Sequence, residues 1–129
     1  MSIVWQEPII ELRAGRFMHT SDGVIIGGPT PHDMHLDDAI EFIALFKKLE
    51  PRGHWRILLD LRGVSRKLDA EARQHMRQEM REHLDGIAFV TANTISRFFA
   101  SGIIAALGMR TQARAFDSDA EALRWIRSL

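Results

Sequence analysis

His32 and His35 sit three residues apart in His-Asp-Met-His, with Asp33, Asp37 and Asp38 around them. Imidazoles and carboxylates at that density can ligate a divalent metal. A structural zinc site wants four such ligands, and no Glu-x-x-His or second histidine pair stands at ligand spacing nearby. The same residue types favour helix starts. The stretch therefore reads as an exposed loop opening a helix, and no metal is expected. Arg73, Arg77 and Arg81 recur every fourth residue, a spacing that puts three guanidinium groups on one side of a helix. Such a row could grip an acidic partner or a phosphate. Glu71, Glu79, Glu82 and Asp85 dilute its field, and Asp69 is placed for an i,i+4 pair with Arg73 worth ~0.3–0.5 kcal/mol. A solvated face is the expectation. Asp60 ends the apolar run Ile57-Leu58-Leu59, at a strand-to-helix junction of the kind where α/β proteins meet their ligands. No Gly-x-Ser-x-Gly, phosphate-cradling glycine loop or identifiable base accompanies it, and no catalytic residue or cofactor is expected.

The elements that must carry these residues follow from pattern. Short β-rich runs at 9–12, 16–19 and 24–27 are divided by Ala14-Gly15 and Ser21-Asp22-Gly23, both good turn sequences. Gly28-Pro29-Thr30-Pro31 breaks the pattern. A helix is predicted over 36–49, with Asp37 and Asp38 in its first turn and Lys47 and Lys48 in its last, matching the macrodipole. Strands at 56–61, 86–91 and 111–116 then alternate with helices at 69–84, 95–107 and 119–128. Near-continuous apolar strands alternating with helices indicate a parallel sheet covered on its faces. The predicted fold class is α/β: a mixed sheet, antiparallel at its N-terminal end and built of parallel βαβ units after it, with about four helices.

Composition is that of one ordinary domain spanning 1–129: 46% apolar, 26% charged, seventeen basic and seventeen acidic residues. A cancelling charge provides no global field toward nucleic acid or an anionic membrane. The absence of cysteine excludes disulfides, thiolate catalysis and cysteine-ligated zinc. The first seven residues lack the basic and apolar regions of a signal peptide, and no apolar stretch is long enough to span a bilayer. A cytoplasmic location is expected.

The order of elements, the strand 57–61 running into Gly63-Val64-Ser65, and the segment Ala88-Phe89-Val90-Thr91-Ala92-Asn93-Thr94-Ile95-Ser96-Arg97-Phe98-Phe99 resemble a STAS domain, the SpoIIAA-like fold of bacterial anti-sigma-factor antagonists. Small stand-alone bacterial proteins of that fold also tend to end as Phe116 to Trp125 does here. The resemblance implies a regulatory or protein-interaction role without enzymatic activity. It also implies a switch, because the antagonists are phosphorylated on a serine at the start of the helix after this strand. The matching position holds Ala70, beside Asp69, and alanine carries no hydroxyl. Ser65 is the nearest hydroxyl and the candidate phosphosite, where a phosphate would add charge near a helix N-terminus. A serine in such a loop also commonly bonds local backbone.

The helix 95–107 is apolar around most of its circumference: Ile95, Phe98, Phe99, Ile103, Ile104 and Leu107, with Ala100, Ala105 and Ala106 between. A helix of that kind is either enclosed or covered by a partner. The leading reading is a recognition domain that binds a protein partner, or a second copy as a homodimer, through this helix and the loop 63–68. Ser65, Arg97, Phe98, Phe99 and Ile103 are its candidate contacts, with Arg97 placed to anchor an acidic group. A small apolar, lipid-like ligand held beneath the helix is the alternative. A hydrolase or isomerase joining Asp60 to a distant histidine is a third reading.

Overall fold

The protein is described by a computed structural model covering residues 3–63, 66–108 and 112–129. Ten elements follow in chain order: β1 (Ile10–Leu12), β2 (Gly15–His19), β3 (Val24–Pro29), α1 (Leu36–Leu49), β4 (Trp55–Asp60), α2 (Ala70–His83), β5 (Leu84–Val90), α3 (Thr94–Leu107), β6 (Ala113–Phe116) and α4 (Asp119–Arg127). The six strands form one sheet in sequence order. β1, β2 and β3 pair antiparallel, while β3 to β6 pair parallel. This is the mixed sheet that the residue pattern predicts.

Successive strand residues face opposite sides of a sheet, and both sides are buried here. Ile25, Ile57, Ile87 and Phe89 point into a core shared with α1, α2 and α3. Val24, Ile26, Leu58, Ala88 and Val90 point into a second core beneath α4, where Ile3 and Trp5 of the N-terminal segment also lie. Three helices thus cover one face and one helix the other.

The larger core is built on aromatic edges. Phe17 meets Phe42 at 4.9 Å and Phe46 at 5.4 Å between ring centroids, and Phe46 meets Trp55 at 5.5 Å, all near-perpendicular. Such edge-to-face pairs add ~0.5–1.5 kcal/mol each beyond area burial. Trp55 also donates its indole N–H to the Glu50 carbonyl at 3.0 Å. It is a core residue, as its place at the head of the central strand suggests.

Three boundaries depart from the sequence pattern. β3 runs on through Gly28 and Pro29, because Gly15 and Arg16 of β2 lie opposite them and a proline is tolerated at a strand's last position. Leu84 begins β5 rather than ending α2: its backbone is extended and it lies opposite Trp55 beside an irregularity in register. An apolar residue buried at that junction suits either element, so periodicity could not assign it. Residue 111, predicted to open the last strand, lies outside the described residues, and β6 starts at Ala113.

Gly27 lies directly across from Phe17, whose ring covers it. A β-carbon at Gly27 would approach two Phe17 ring carbons to 2.5 Å. The ring is fully buried, so it can yield only by displacing its packed neighbours or moving toward a small void. Gly27→Ala is therefore expected to destabilise the fold by ~1–3 kcal/mol, the usual cost of overfilling a core, measured as a lowered urea midpoint. An unchanged midpoint would show that Phe17 has another place to go.

Candidate functional site

Two loops are laced together at the heads of α1 and α2. Met34 and Leu68 form a short parallel bridge. The Met34 N–H donates to the Lys67 carbonyl at 2.8 Å, and the Asp69 N–H to the Met34 carbonyl at 2.9 Å. The Asp33 carboxylate accepts the Lys67 N–H at 3.0 Å, and His35 Nδ1 lies 2.6 Å from the Asp69 carboxylate. Asp38, buried, accepts the His35 N–H at 2.9 Å and Arg13 at 2.6 Å. The His-Asp-Met-His stretch is thus spent on capping and lacing. Among the described residues, the group with ligating atoms close enough for a metal is Glu79, Glu82 and His83, on α2. Lys47 Nζ stands 3.3 Å from Glu79 there and already supplies a cation.

Lacing delivers Arg66, Lys67 and Leu68 to one wall of a groove of about 440 Å³ whose other wall is α3. α3 begins with a reciprocal cap. Asn93 Oδ1 accepts the Ser96 N–H at 2.9 Å, and Ser96 Oγ accepts the Asn93 N–H at 3.1 Å. It ends at Gly108, in the left-handed region at φ +65 that favours glycine. Only Ser96, Ala100 and Leu107 of this helix are buried. Ile95 is 69% exposed and Phe98 81% exposed. Neighbouring elements leave that face open, so the helix is not enclosed by the described residues of its own chain.

Of the residues singled out from sequence, Phe98, Phe99 and Ile103 come together in this groove. Arg97 is exposed on α3 but does not line it. Ser65 lies outside the described residues. Ala70 opens α2 and is exposed.

Arg66 and Lys67 also line the groove, from the loop 63–68 expected in the contact surface, and so does Arg73, from the basic row expected to be a solvated face. Arg73 also borders a second, more polar cleft along α2, lined by Arg77, Arg81, Gln74, Gln78 and Ala106. The expected Asp69–Arg73 pair does not form, because Asp69 is held by His35. Glu79 turns to Lys47 and His83, and Asp85 to His54. Two of the four acids that dilute the basic row in sequence are thus drawn off, while Glu82 stays in the cleft beside it.

Arg66 bounds both this groove and an apolar cavity beneath α3. Its Nη1 donates to the Ala14 carbonyl, while its buried Nε has no partner among the described residues. Burial pushes the guanidinium down to about 10, opposed by the charges of Asp38 and Asp33, so it remains a cation at neutral pH. The cavity measures about 50 Å³ and is lined by Phe17, Met34, Phe42, Met76 and Met80 among others. An apolar cavity that holds benzene measures ~150 Å³. A lipid-like molecule does not fit this one as it stands.

Asp60 faces the other layer. Even-numbered positions of β4 point toward α4, and Asp60 meets Arg62 there at 2.9 Å through both carboxylate oxygens. Arg62 Nη2 lies 2.7 Å from Asp119 Oδ1, an ion pair without hydrogen-bond alignment, while Asp119 Oδ2 accepts the Ile3 N–H at 2.7 Å. The hydrogen bonds of Asp60, then the charges of Asp60 and Asp119, hold the Arg62 guanidinium above its usual value, against some desolvation. No histidine bonds Asp60 among the described residues, so the pairing that a hydrolytic reading needs is not made.

The model of the family described as Domain of unknown function (DUF7793) matches residues 17–129. No curated protein matches the chain. Among solved structures it is similar to an uncharacterized protein of the DUF3478 family with a SpoIIAA-like fold, from Shewanella loihica PV-4. The two share 12% identity at a TM-score of 0.62, over 85% of this chain and 90% of that one. At that identity the likeness establishes a SpoIIAA-like fold and no more.

Removing Arg62 leaves the buried Asp119 carboxylate with one neutral donor. Arg62→Met is expected to cost ~1–3 kcal/mol, the range for a buried polar group losing its partner, read from urea unfolding. A loss below 0.5 kcal/mol, on the order expected of ordinary surface changes, would mean that solvent already screens the carboxylate.

Proposed function

The chain belongs to the DUF7793 family of domains of unknown function, and from its surface we propose that it is a non-enzymatic, regulatory recognition domain, acting in the cytoplasm, that docks a partner protein along α3. One observation carries this reading: Phe98 stands 81% exposed, with Ile95 at 69%, on a helix that also borders a groove. Scattered apolar residues on a surface are ordinary, but a contiguous patch marks a contact site. Buried aromatic anchors dominate the energetics of such contacts. The partner is a different protein rather than a second copy. A two-fold pair closing on this groove would gather two copies of its basic residues, Arg66, Lys67 and Arg73, into one interface whose lining carries no acid among the described residues, and an excess of like charge opposes association.

No residue here is assigned a catalytic role. The phosphorylation switch that the fold resemblance implies has no acceptor at Ala70. Ser65, the residue before Arg66 in the sequence, is the proposed acceptor. The small volume beneath α3 favours protein docking over a lipid-sized ligand.

Phe98→Asp leaves the core untouched. Its stability should stay within about 0.5 kcal/mol of the parent, as for other surface changes. Light scattering should show a monomer for both forms. A photo-crosslinking amino acid at position 98 should trap one defined partner, and Phe98→Asp should weaken that complex by about thirtyfold or more, the effect of losing an anchor worth ~2 kcal/mol. Crosslinking to a second copy, or affinity within threefold of the parent, would refute docking at this helix.

A further inference from the structure

The groove beside α3 and the cleft along α2 are continuous, since Arg73 and Ala106 line both. One strip thus runs between the two helices. Its α3 side is apolar, with Ile95, Phe98 and Ile103. Its α2 side is a row of guanidinium groups, Arg73, Arg77 and Arg81. Successive members are four residues apart, so the row spans about 12 Å at 1.5 Å per residue. None of the three forms an ion pair among the described residues, whereas Asp69, Asp85 and Glu79 all do. Glu82 is the acid among the residues that line the cleft, at the Arg81 end, and it lies 3.8 Å from His83. At the opposite end, beside Phe99, Arg66 adds one more cation to the lining.

Resting on the docking reading above, the geometry points to an acidic amphipathic helix of the partner as the occupant of this strip. Its apolar face lies on Ile95, Phe98 and Ile103. Carboxylates one helical turn apart along its flank meet Arg73, Arg77 and Arg81, and one further carboxylate at its end reaches Arg66. A helix repeats every 3.6 residues, so a fourth-residue row of acids matches a fourth-residue row of arginines over two turns. Helix-in-groove recognition uses this division between apolar anchors and flanking charge. Charge at the rim sets partner choice and the salt dependence of association more than it sets maximal affinity.

The probe is a fluorescein-labelled helical peptide of eighteen residues with leucines at i, i+3, i+4 and i+7 and glutamates every fourth residue along one flank. A second peptide carries lysine in place of each glutamate. Fluorescence anisotropy should show the glutamate peptide bound at least tenfold more tightly than the lysine peptide, with the preference shrinking as salt rises. The triple variant Arg73→Glu, Arg77→Glu, Arg81→Glu should reverse the preference and bind the lysine peptide. A purely structural role for the arginines would not produce that exchange. All three are exposed. Should circular dichroism show the triple variant unfolded, the double variant Arg73→Glu, Arg81→Glu reads the same reversal. Equal binding of both peptides, no binding of either, or a preference unmoved by charge reversal would overturn the acidic-helix assignment. Binding abolished by Phe98→Asp yet indifferent to the arginines would leave the docking reading standing without it. Binding that follows the arginines and ignores Phe98→Asp would overturn the docking reading instead.

Discussion

Much of this surface depends on the backbone tie between the two loops that precede α1 and α2. Met34 exchanges hydrogen bonds with Lys67 and Asp69 across a single bridge, and its side chain is fully buried beneath them. Loops usually run over a surface, where water satisfies their backbone groups. Here two loops satisfy each other, so both helices start from one fixed point. The cost is local: Asp33, Asp38, Asp69 and His35 are committed to holding the tie. Four such residues, three aspartates and a histidine, would otherwise suggest a metal site. The same chemistry that ligates a cation also caps helix ends and loop amides, and tertiary placement decides between the two.

Ten of ten elements were legible from periodicity, with the helix over 36–49 placed to the residue. Near-continuous apolar runs in β4 and β5 and the three–four spacing in α1 and α2 are local signals, and the burial of both sheet faces follows them. Residues at element ends were less legible. Leu84 is apolar and buried, which suits a helix seam and a strand equally. The Asn93–Ser96 cap was passed over because the run of apolar residues begins only at Ile95, two positions later. Within the groove, Phe98, Phe99 and Ile103 could be found because a helix apolar on most sides is conspicuous. The loop 63–68 is expected to share the contact surface with the helix, but Arg66 and Lys67 could not be singled out within it, since a loop has no period and their location is set by Met34, more than thirty residues away in the chain. The freedom of Arg73 was equally hidden. It depends on where His35, Lys47 and His54 send the acids that share its neighbourhood.

α3 meets the core through Ser96, Ala100 and Leu107, which are buried, and through Phe99, Ile103 and Ile104, which pack against it partly exposed, while Phe98 points to solvent. Phe99, Ile103 and Leu107 border the small void beneath it. A sequence optimised for stability alone would not leave Phe98 on the wet face. Retaining it there sacrifices burial worth ~1.5–3 kcal/mol, and natural proteins commonly accept such losses at surfaces used for contact.

The junction between α2 and β5 has a mechanical consequence. His83 closes the helix and Leu84 opens the strand with no residue between them. β5 is gripped by β4 on one side and β6 on the other. α2 is therefore clamped at both extremities, at its head by the Met34 bridge and at its tail by the sheet itself. α3, by contrast, hangs over a void. When the strip between them is loaded, the arginine-bearing wall acts as an anvil and the greasy wall as a spring. Adjustment to the shape of whatever is pressed in falls to α3, while the pitch of the charged ruler on α2 stays constant.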